Sequence, residues 1–119
     1  MKNLKPIMIE NSKLPVLLSK LAPINIKAIT LFPFVFSRGT MSEETKRHET
    51  IHFQQYLETG VIGFLALYLW DYMVSSIKGK SGPEAYRSIR AEKEAWDNDN
   101  DENYLENRKR WAWIWDNRD

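Results

Sequence analysis

The stretch His48-Glu49-Thr50-Ile51-His52 has the spacing H-E-x-x-H, and the rest of the chain is interpreted around it. On an α-helix, residues four apart lie on one face, one turn above the other. Two imidazoles in that arrangement can bind one divalent metal ion, most often zinc. Glu49 lies next to His48, where a carboxylate can act as general base without binding the metal. The stretch predicts a helix that carries a metal site with hydrolytic chemistry.

The motif also has a simpler explanation, because a helix can carry two histidines and an unrelated glutamate without binding a metal. The chain has 119 residues, two histidines and no cysteine. Thiolate zinc sites and a cysteine nucleophile are therefore excluded. A zinc site in this chain would need a carboxylate as its third protein ligand.

Helix signals surround the motif. Thr40 and Glu43 have the T-x-x-E spacing of a capping box, and Ser42 is an alternative N-cap. These signals predict a helix over about residues 41–59 that ends at Gly60.

A second helix is predicted over about residues 83–97, and it supplies the candidate third ligand, Glu92. One stripe of this helix reads Ala85, Ile89, Glu92 and Trp96. A carboxylate in an apolar stripe is costly unless it is paired or binds a metal. The alternative is an ion pair with a neighbouring Arg or Lys. The opposite face is expected to be solvated, and it carries Arg87, Arg90, Glu94 and Asp97.

Residues 61–77 are apolar on nearly every side. Seventeen residues at about 1.5 Å each approach the lower limit for crossing a bilayer. Burial as a central helix is the favoured interpretation, and peripheral membrane or partner contact is the alternative. Asp71 is a candidate for orienting a metal-binding histidine, although a local salt bridge or a solvated helix end is the favoured explanation.

The remaining segments predict a small β element and a last helix. Residues 26–37 are β-branched and aromatic and indicate one or two strands, with Pro33 at an edge, a bulge or a break. An exposed strand edge there could align an extended peptide. Residues 1–25 are interpreted as an irregular segment, in which residues 16–21 could form one short turn of helix or a strand. A helix over about 101–116 would place Tyr104, Arg108, Trp111, Ala112 and Trp115 against the core.

Composition bounds the function. Seventeen basic and sixteen acidic residues nearly cancel, so no long-range field indicates nucleic acid or an anionic membrane as a partner. Pro6, Glu10 and Pro15 interrupt the apolar run that a signal peptide needs, and a cytoplasmic protein is expected. The length predicts one domain over residues 1–119, with its core in 26–119.

Three strings, RHETIHFQQ, AYRSIRAEKEAW and YLENRKRWAW, resemble small zincin-like proteins of bacteria and their phages. The H-E-x-x-H stretch followed by Glu92-x-Glu94-Ala95 is similar to the gluzincin branch of zincin metallopeptidases. That resemblance implies Glu92 as third zinc ligand and Glu49 as base. Gluzincins often place an acidic residue four positions after the third ligand, whereas this chain has Trp96.

The resemblance leaves the residue that stabilises the transition state unassigned, since no further histidine exists, and Tyr86 or Arg87 are the candidates. The sequence predicts an α+β, mainly α, zincin-like domain: a short β element, the motif helix, an apolar central helix and two C-terminal helices. The predicted function is a zinc-dependent metallopeptidase acting on a peptide or protein. The alternative is a non-catalytic helical module that binds a metal, a partner or a membrane.

Overall fold

The structure is a computed structural model that describes residues 5–21 and 27–114. These residues form three strands and five helices. In chain order they are β1 (Ile7–Ile9), α1 (Leu14–Leu21), β2 (Ala28–Leu31), β3 (Phe34–Ser37), α2 (Glu43–Ile77), α3 (Gly82–Ser88), α4 (Arg90–Asn98) and α5 (Tyr104–Asn107). The predicted α+β, mainly α, fold class is confirmed.

The three strands form one sheet in the order β1-β3-β2. β2 is antiparallel to β3, with Ala28 opposite Ser37 and Leu31 opposite Phe34. The two strands are separated at the Phe32-Pro33 peptide, so the predicted break at Pro33 is confirmed. β2 has one partner among the described strands and is therefore an edge strand. It also contacts α2, the helix that carries the motif.

The prediction of an irregular N-terminal segment is wrong at Ile7–Ile9, which forms β1 and pairs in parallel with β3. Leu14–Leu21 forms α1, which agrees with the short helix offered for residues 16–21 and is longer than one turn. A three-residue strand is too short to show a period in the sequence, and its partner lies far along the chain. Residues 1–4 and 22–26 lie outside the described part.

α2 begins after Ser42, whose hydroxyl oxygen accepts a hydrogen bond from the Thr45 backbone N–H at 3.1 Å. The alternative N-cap, and not Thr40, therefore starts the helix. The predicted end at Gly60 is a kink, because Gly60 has φ 75° and ψ 167°. The helix continues on the other side to Ile77. We call residues 43–59 the first half of α2 and residues 61–77 the second half.

The second half of α2 is not the buried central helix that was expected. Within residues 61–77, burial is confined to Phe64 and Ser75. Phe64 belongs to the hydrophobic core, where its ring stacks on Tyr56 at 4.0 Å and lies 5.8 Å from Trp113. The core therefore covers one narrow side of this half, and the apolar side chains of its other side remain exposed.

The C-terminal region also departs from expectation. The predicted helix over 83–97 is two helices that meet at Ile89, whose ψ of 129° interrupts the helical backbone. Glu94, assigned to the solvated face, is buried. The predicted helix over 101–116 is wrong beyond Asn107, because the chain continues in turns and Trp111 has φ 67°. The predicted core contact is made by Trp113, while Trp115 lies outside the described residues.

Candidate metal centre

The structure brings His48, His52 and Glu92 together between α2 and α4. The Oε1 atom of Glu92 lies 3.5 Å from Nε2 of His48 and 3.3 Å from Nε2 of His52. All three side chains are buried, and one ligand atom from each lies within 4.8 Å of the other two. The helical spacing aligns the two rings, and the packing of α4 on α2 adds the carboxylate.

The distances and the chemistry of these atoms fit a divalent metal ion. Tetrahedral zinc with bonds of about 2.0–2.1 Å separates neighbouring ligand atoms by about 3.4 Å. Both distances from Glu92 to the imidazoles are close to that value. Among the residues that the structure describes, buried Oε1 of Glu92 has no hydrogen-bond partner. An orphaned buried carboxylate oxygen is costly unless a cation satisfies it.

Each histidine ring is oriented by an oxygen atom that contacts the ring nitrogen facing away from Glu92. Nδ1 of His48 lies 3.0 Å from Oδ2 of Asp99, and Nδ1 of His52 lies 2.8 Å from Oε1 of Gln55. Because both oxygens are acceptors, each Nδ1 carries a proton and donates it. In the neutral ring the other nitrogen, Nε2, then presents its lone pair to the space beside Glu92. This is the tautomer that metal binding requires.

The support behind His52 extends through a buried ionic cluster. Gln55 donates from Nε2 to Oε1 of Glu94 at 2.8 Å. Arg108 contacts both Glu94 and Glu58, each at 2.6 Å. Burial alone would lower the pKa of Arg108, but hydrogen bonds to Glu58 and Glu94 outweigh it and raise that pKa. The permanently charged guanidinium fixes Glu94, which fixes the Gln55 amide and therefore the His52 ring.

Glu49 is close to the cluster but stands apart from the three converging atoms. Its Oε1 accepts a hydrogen bond from the Thr30 hydroxyl at 2.8 Å. Its Oε2 lies 4.0 Å from Nε2 of His48. Thr30 belongs to β2, so the sheet holds one oxygen of this carboxylate and leaves the other facing the cluster. That is the position expected for a base beside a metal.

Two tyrosines complete the surroundings of Glu92. The Tyr68 hydroxyl donates to Oε2 of Glu92 at 2.6 Å. Burial and the charge of Glu92 raise the pKa of Tyr68 and of Tyr86, so both remain protonated at neutral pH. Tyr86 also lines the cleft beside the cluster. Both hydroxyls interact with Glu92.

The field at the cluster attracts cations. Burial alone would lower the pKa of His52, but the charges of Glu92 and Glu49 outweigh it and raise the pKa to about 10. Burial likewise opposes ionisation of Glu92, yet the nearby histidines and the Tyr68 hydrogen bond lower its pKa. The negative potential that holds a proton on His52 also favours a divalent metal ion in its place.

A cleft of about 190 Å³ opens beside these residues. Its walls come from β2, from both halves of α2 and from α3 and α4. Most of the lining is apolar or aromatic: Ala28, Ile29, Leu31, Tyr56, Phe64, Leu65, Tyr68 and Tyr86. Thr30, Glu49, His52 and Glu92 supply its polar groups. The cleft therefore gives a ligand direct access to the candidate base and to two of the candidate metal ligands.

Two weaker predictions are corrected by these contacts. Asp71 does not orient a histidine, because it forms an ion pair with Arg90 at 2.9 Å. Arg87 is exposed and stacks 4.6 Å above the ring of Trp96, outside the cleft lining. The ion-pair alternative for Glu92 is not supported, because its partners are the two histidines and Tyr68.

Sequence reasoning missed Asp99, Gln55, Tyr68 and Thr30. Asp99 follows Glu92 by seven residues, which is two helical turns, and it therefore returns to the same side of α4. Gln55 follows His52 by three residues and lies beside it on α2 in the same way. The sequence spacing alone therefore indicated that Asp99 and Gln55 lie on the same helix sides as the candidate ligands. Tyr68 and Thr30 reach the site only through tertiary packing.

Comparison with known proteins adds no relative: no protein-family model, no curated protein and no solved structure matches this chain.

Proposed function

We propose that this protein is a metal-dependent hydrolase, specifically a zinc metallopeptidase acting on a peptide or protein. One observation carries the proposal: Oε1 of Glu92, which has no hydrogen-bond partner within residues 5–21 and 27–114, lies 3.3 and 3.5 Å from two Nε2 atoms, with Glu49 beside them. A zinc ion held by two histidines and one carboxylate would lower the pKa of bound water to about 7 and polarise a carbonyl.

Glu49 is the proposed general base. Thr30 donates to one of its oxygens, which fixes the carboxylate plane and leaves Oε2 toward the cluster. A base in this position takes a proton from the attacking water and passes it to the leaving amine. Glu49 is buried, so a substrate in the cleft would exclude competing water from this transfer.

Tyr86 is the proposed donor to the oxygen that becomes negative in the transition state. Its raised pKa keeps the hydroxyl protonated at neutral pH. A neutral donor fixed in a largely apolar cleft stabilises developing charge more strongly than it would in water. The Tyr68 hydroxyl donates directly to Glu92 at 2.6 Å. The Tyr86 hydroxyl also interacts with Glu92 and with Tyr68, so a substrate oxygen would replace those contacts when it accepts from Tyr86.

The edge strand β2 supports a peptide as the substrate class. β2 lies along the cleft and has its sheet partner on one side. An extended peptide can add to such an edge through main-chain hydrogen bonds. This arrangement would carry the peptide past Glu49, since Thr30 in the middle of β2 already contacts that residue.

Metal analysis of purified protein, combined with digestion of a peptide library read by mass spectrometry, tests the proposal. We expect one zinc per chain in wild type, loss of zinc in Glu92→Gln, and retained zinc without cleavage in Glu49→Gln. Glu44→Gln, an exposed change in the same helix, is the matched control and should retain both metal and cleavage.

Two outcomes would contradict parts of the proposal. Wild-type protein that takes up no divalent metal on reconstitution would remove the metal centre. Full cleavage by Glu49→Gln would remove Glu49 as base. Stoichiometric metal without cleavage of any peptide would favour the non-catalytic metal-binding module.

A further inference from the structure

The second half of α2 is apolar on its outward side as well as on part of its inward side. Inward, Phe64 and Leu67 pack in the hydrophobic core, while Tyr68 donates to Glu92 and Asp71 pairs with Arg90. A surface helix of a globular protein in water places its apolar stripe toward the core and its polar residues outward. This half lacks the outward polar side, which indicates that its exposed side meets an apolar environment.

The outward side is large and uncharged. It comprises ten exposed residues, namely Val61, Ile62, Leu65, Ala66, Leu69, Trp70, Tyr72, Met73, Ser76 and Ile77. We call these ten residues the apolar face. At 100° per residue they occupy one continuous half of the helix circumference. Monomeric proteins rarely expose an uninterrupted apolar patch of this kind without an interaction partner.

Length and composition agree with a lipid environment. Among the described residues, α2 is the one helix long and apolar enough to cross a membrane, and 11% of its most apolar 18-residue window is buried. A core helix of a protein in water can pass the same length and composition test, but it would be mostly buried. The low burial removes that explanation for this helix.

The internal contacts favour a helix that lies along a bilayer surface over one that crosses it. α3 and α4 pack against α2, and the Asp71–Arg90 ion pair forms in the middle of its second half. Crossing would carry these charged helices into the hydrocarbon core at high cost. Lying in the interface immerses the apolar face alone and leaves α3 and α4 on the aqueous side.

The residues at the edge of the apolar face match the membrane–water boundary. Trp70 and Tyr72 are the aromatic types enriched at that boundary. Exposed Lys78 and Lys80 follow the last turn of the helix, and lysines in that position attract anionic headgroups. A protein partner would match the apolar surface, but the combination of apolar face, aromatic edge and terminal lysines is the pattern of an interfacial helix.

We infer that the apolar face of α2 binds a lipid bilayer, with the helix lying in the membrane interface and Lys78 and Lys80 at the headgroups. Leu65 belongs to the apolar face and also lines the cleft. Bilayer binding therefore places the mouth of the cleft at the lipid surface. This inference stands whether or not the metal centre is catalytic.

Vesicle flotation with the purified chain tests the inference. The probes are phosphatidylcholine vesicles with and without phosphatidylglycerol. We expect wild type to float with both and more strongly with the anionic lipid. The double variant Leu69→Gln/Met73→Gln should lower the partition coefficient by about tenfold to a hundredfold, because two side chains lose their transfer free energy. The matched control is Leu17→Gln in α1, since Leu17 and Met73 are each 54% exposed.

The location of Trp70 gives an independent readout. Brominated lipids should quench wild-type tryptophan fluorescence, and Trp70→Phe should remove most of that quenching. Unchanged quenching in Trp70→Phe would place another tryptophan in the lipid and overturn the inference. Equal loss of flotation in Leu17→Gln and in the double variant would do the same.

A second copy of this chain is the competing occupant. Light scattering of the detergent-free protein separates the two cases. A wild-type dimer that becomes monomeric in Leu69→Gln/Met73→Gln, with no flotation of wild type, would assign the apolar face to self-association and overturn lipid binding. Flotation of a wild-type monomer would support it.

Discussion

The two halves of α2 differ in how much of their surface the protein covers. The first half buries polar and ionisable residues alongside apolar ones: His48, Glu49, His52, Gln54 and Gln55, with Ile51, Phe53 and Tyr56. The second half exposes the apolar face and buries Phe64 and Ser75. The two halves belong to one helix interrupted only by the Gly60 kink, so local helical structure does not explain the difference.

The difference shows that a side chain in this protein is buried where hydrogen-bond or ion-pair partners are available, and that its hydropathy matters less. A buried polar group is tolerated when it is hydrogen-bonded or paired, and the candidate site supplies such partners in the first half through Asp99, Thr30 and Glu94. In the second half, Tyr68 and Asp71 are satisfied by Glu92 and Arg90 of α4, while the outward apolar residues are not covered by the part of the chain that the structure describes. The first half is therefore enclosed by other elements of the protein, and the apolar face of the second half is exposed.

The largest expected effect comes from making the same substitution in each half. Ile51 is fully buried and Ile62 is 85% exposed. Ile51→Ala should lower the free energy of unfolding by about 2–4 kcal/mol, because it leaves a cavity in the core. Ile62→Ala should change it by less than about 0.5 kcal/mol. Urea denaturation monitored by circular dichroism measures both values.

The two isoleucine variants also test whether the second half of α2 is exposed in solution. If Ile62→Ala lowered the free energy of unfolding as much as Ile51→Ala, Ile62 would be packed in solution and the second half would not be exposed. Equal unfolding midpoints for wild type and Ile62→Ala would instead show that the second half contributes little packing to the isolated chain.

Local sequence patterns were sufficient to predict those parts of the fold that are determined by residues close together in the chain. The H-E-x-x-H spacing predicted that two imidazoles would share a helix face, and Pro33 predicted the break between β2 and β3. The stripe that contains Glu92 predicted a carboxylate on an inward face. Each of these predictions relied on residues close together in the sequence, within about three helical turns or within one tight turn.

The parts that failed depend on residues far apart in sequence. Glu94 was assigned to solvent from its position opposite the Glu92 stripe, because its partners Gln55 and Arg108 lie 39 and 14 residues away in the chain. The pattern in residues 61–77 showed an apolar helix, but periodicity cannot show how much of a helix the other elements cover. Asp99 lies past the predicted end of its helix, and its contact with His48 spans 51 residues.

The next effect concerns Asp99, one of the hydrogen-bond partners that allow polar side chains to be buried in the first half of α2. Asp99→Asn should weaken zinc binding by about tenfold to a hundredfold, because the charged acceptor that orients His48 and strengthens its basicity is lost. Asp101→Asn is the matched control, since Asp101 is exposed and caps the nearby Asn103 N–H. Competition with a chelating dye measures both affinities. Equal affinities would show that Asp99 is dispensable and that His48 is held by packing.

The smallest expected effect comes from the residue that separates the two halves. Gly60 has a positive φ of 75° with ψ 167°, a conformation that side chains other than glycine rarely adopt. No atom lies within 4 Å of a Cβ placed there, so the cost of Gly60→Ala is backbone strain alone, about 1–2 kcal/mol in the free energy of unfolding. Gly82→Ala meets equally open space without the positive φ, and it should cost little. If both variants unfolded at the same denaturant concentration, the kink would relax into a continuous helix without penalty. The directions of the two halves would then be set by their packing and not by Gly60.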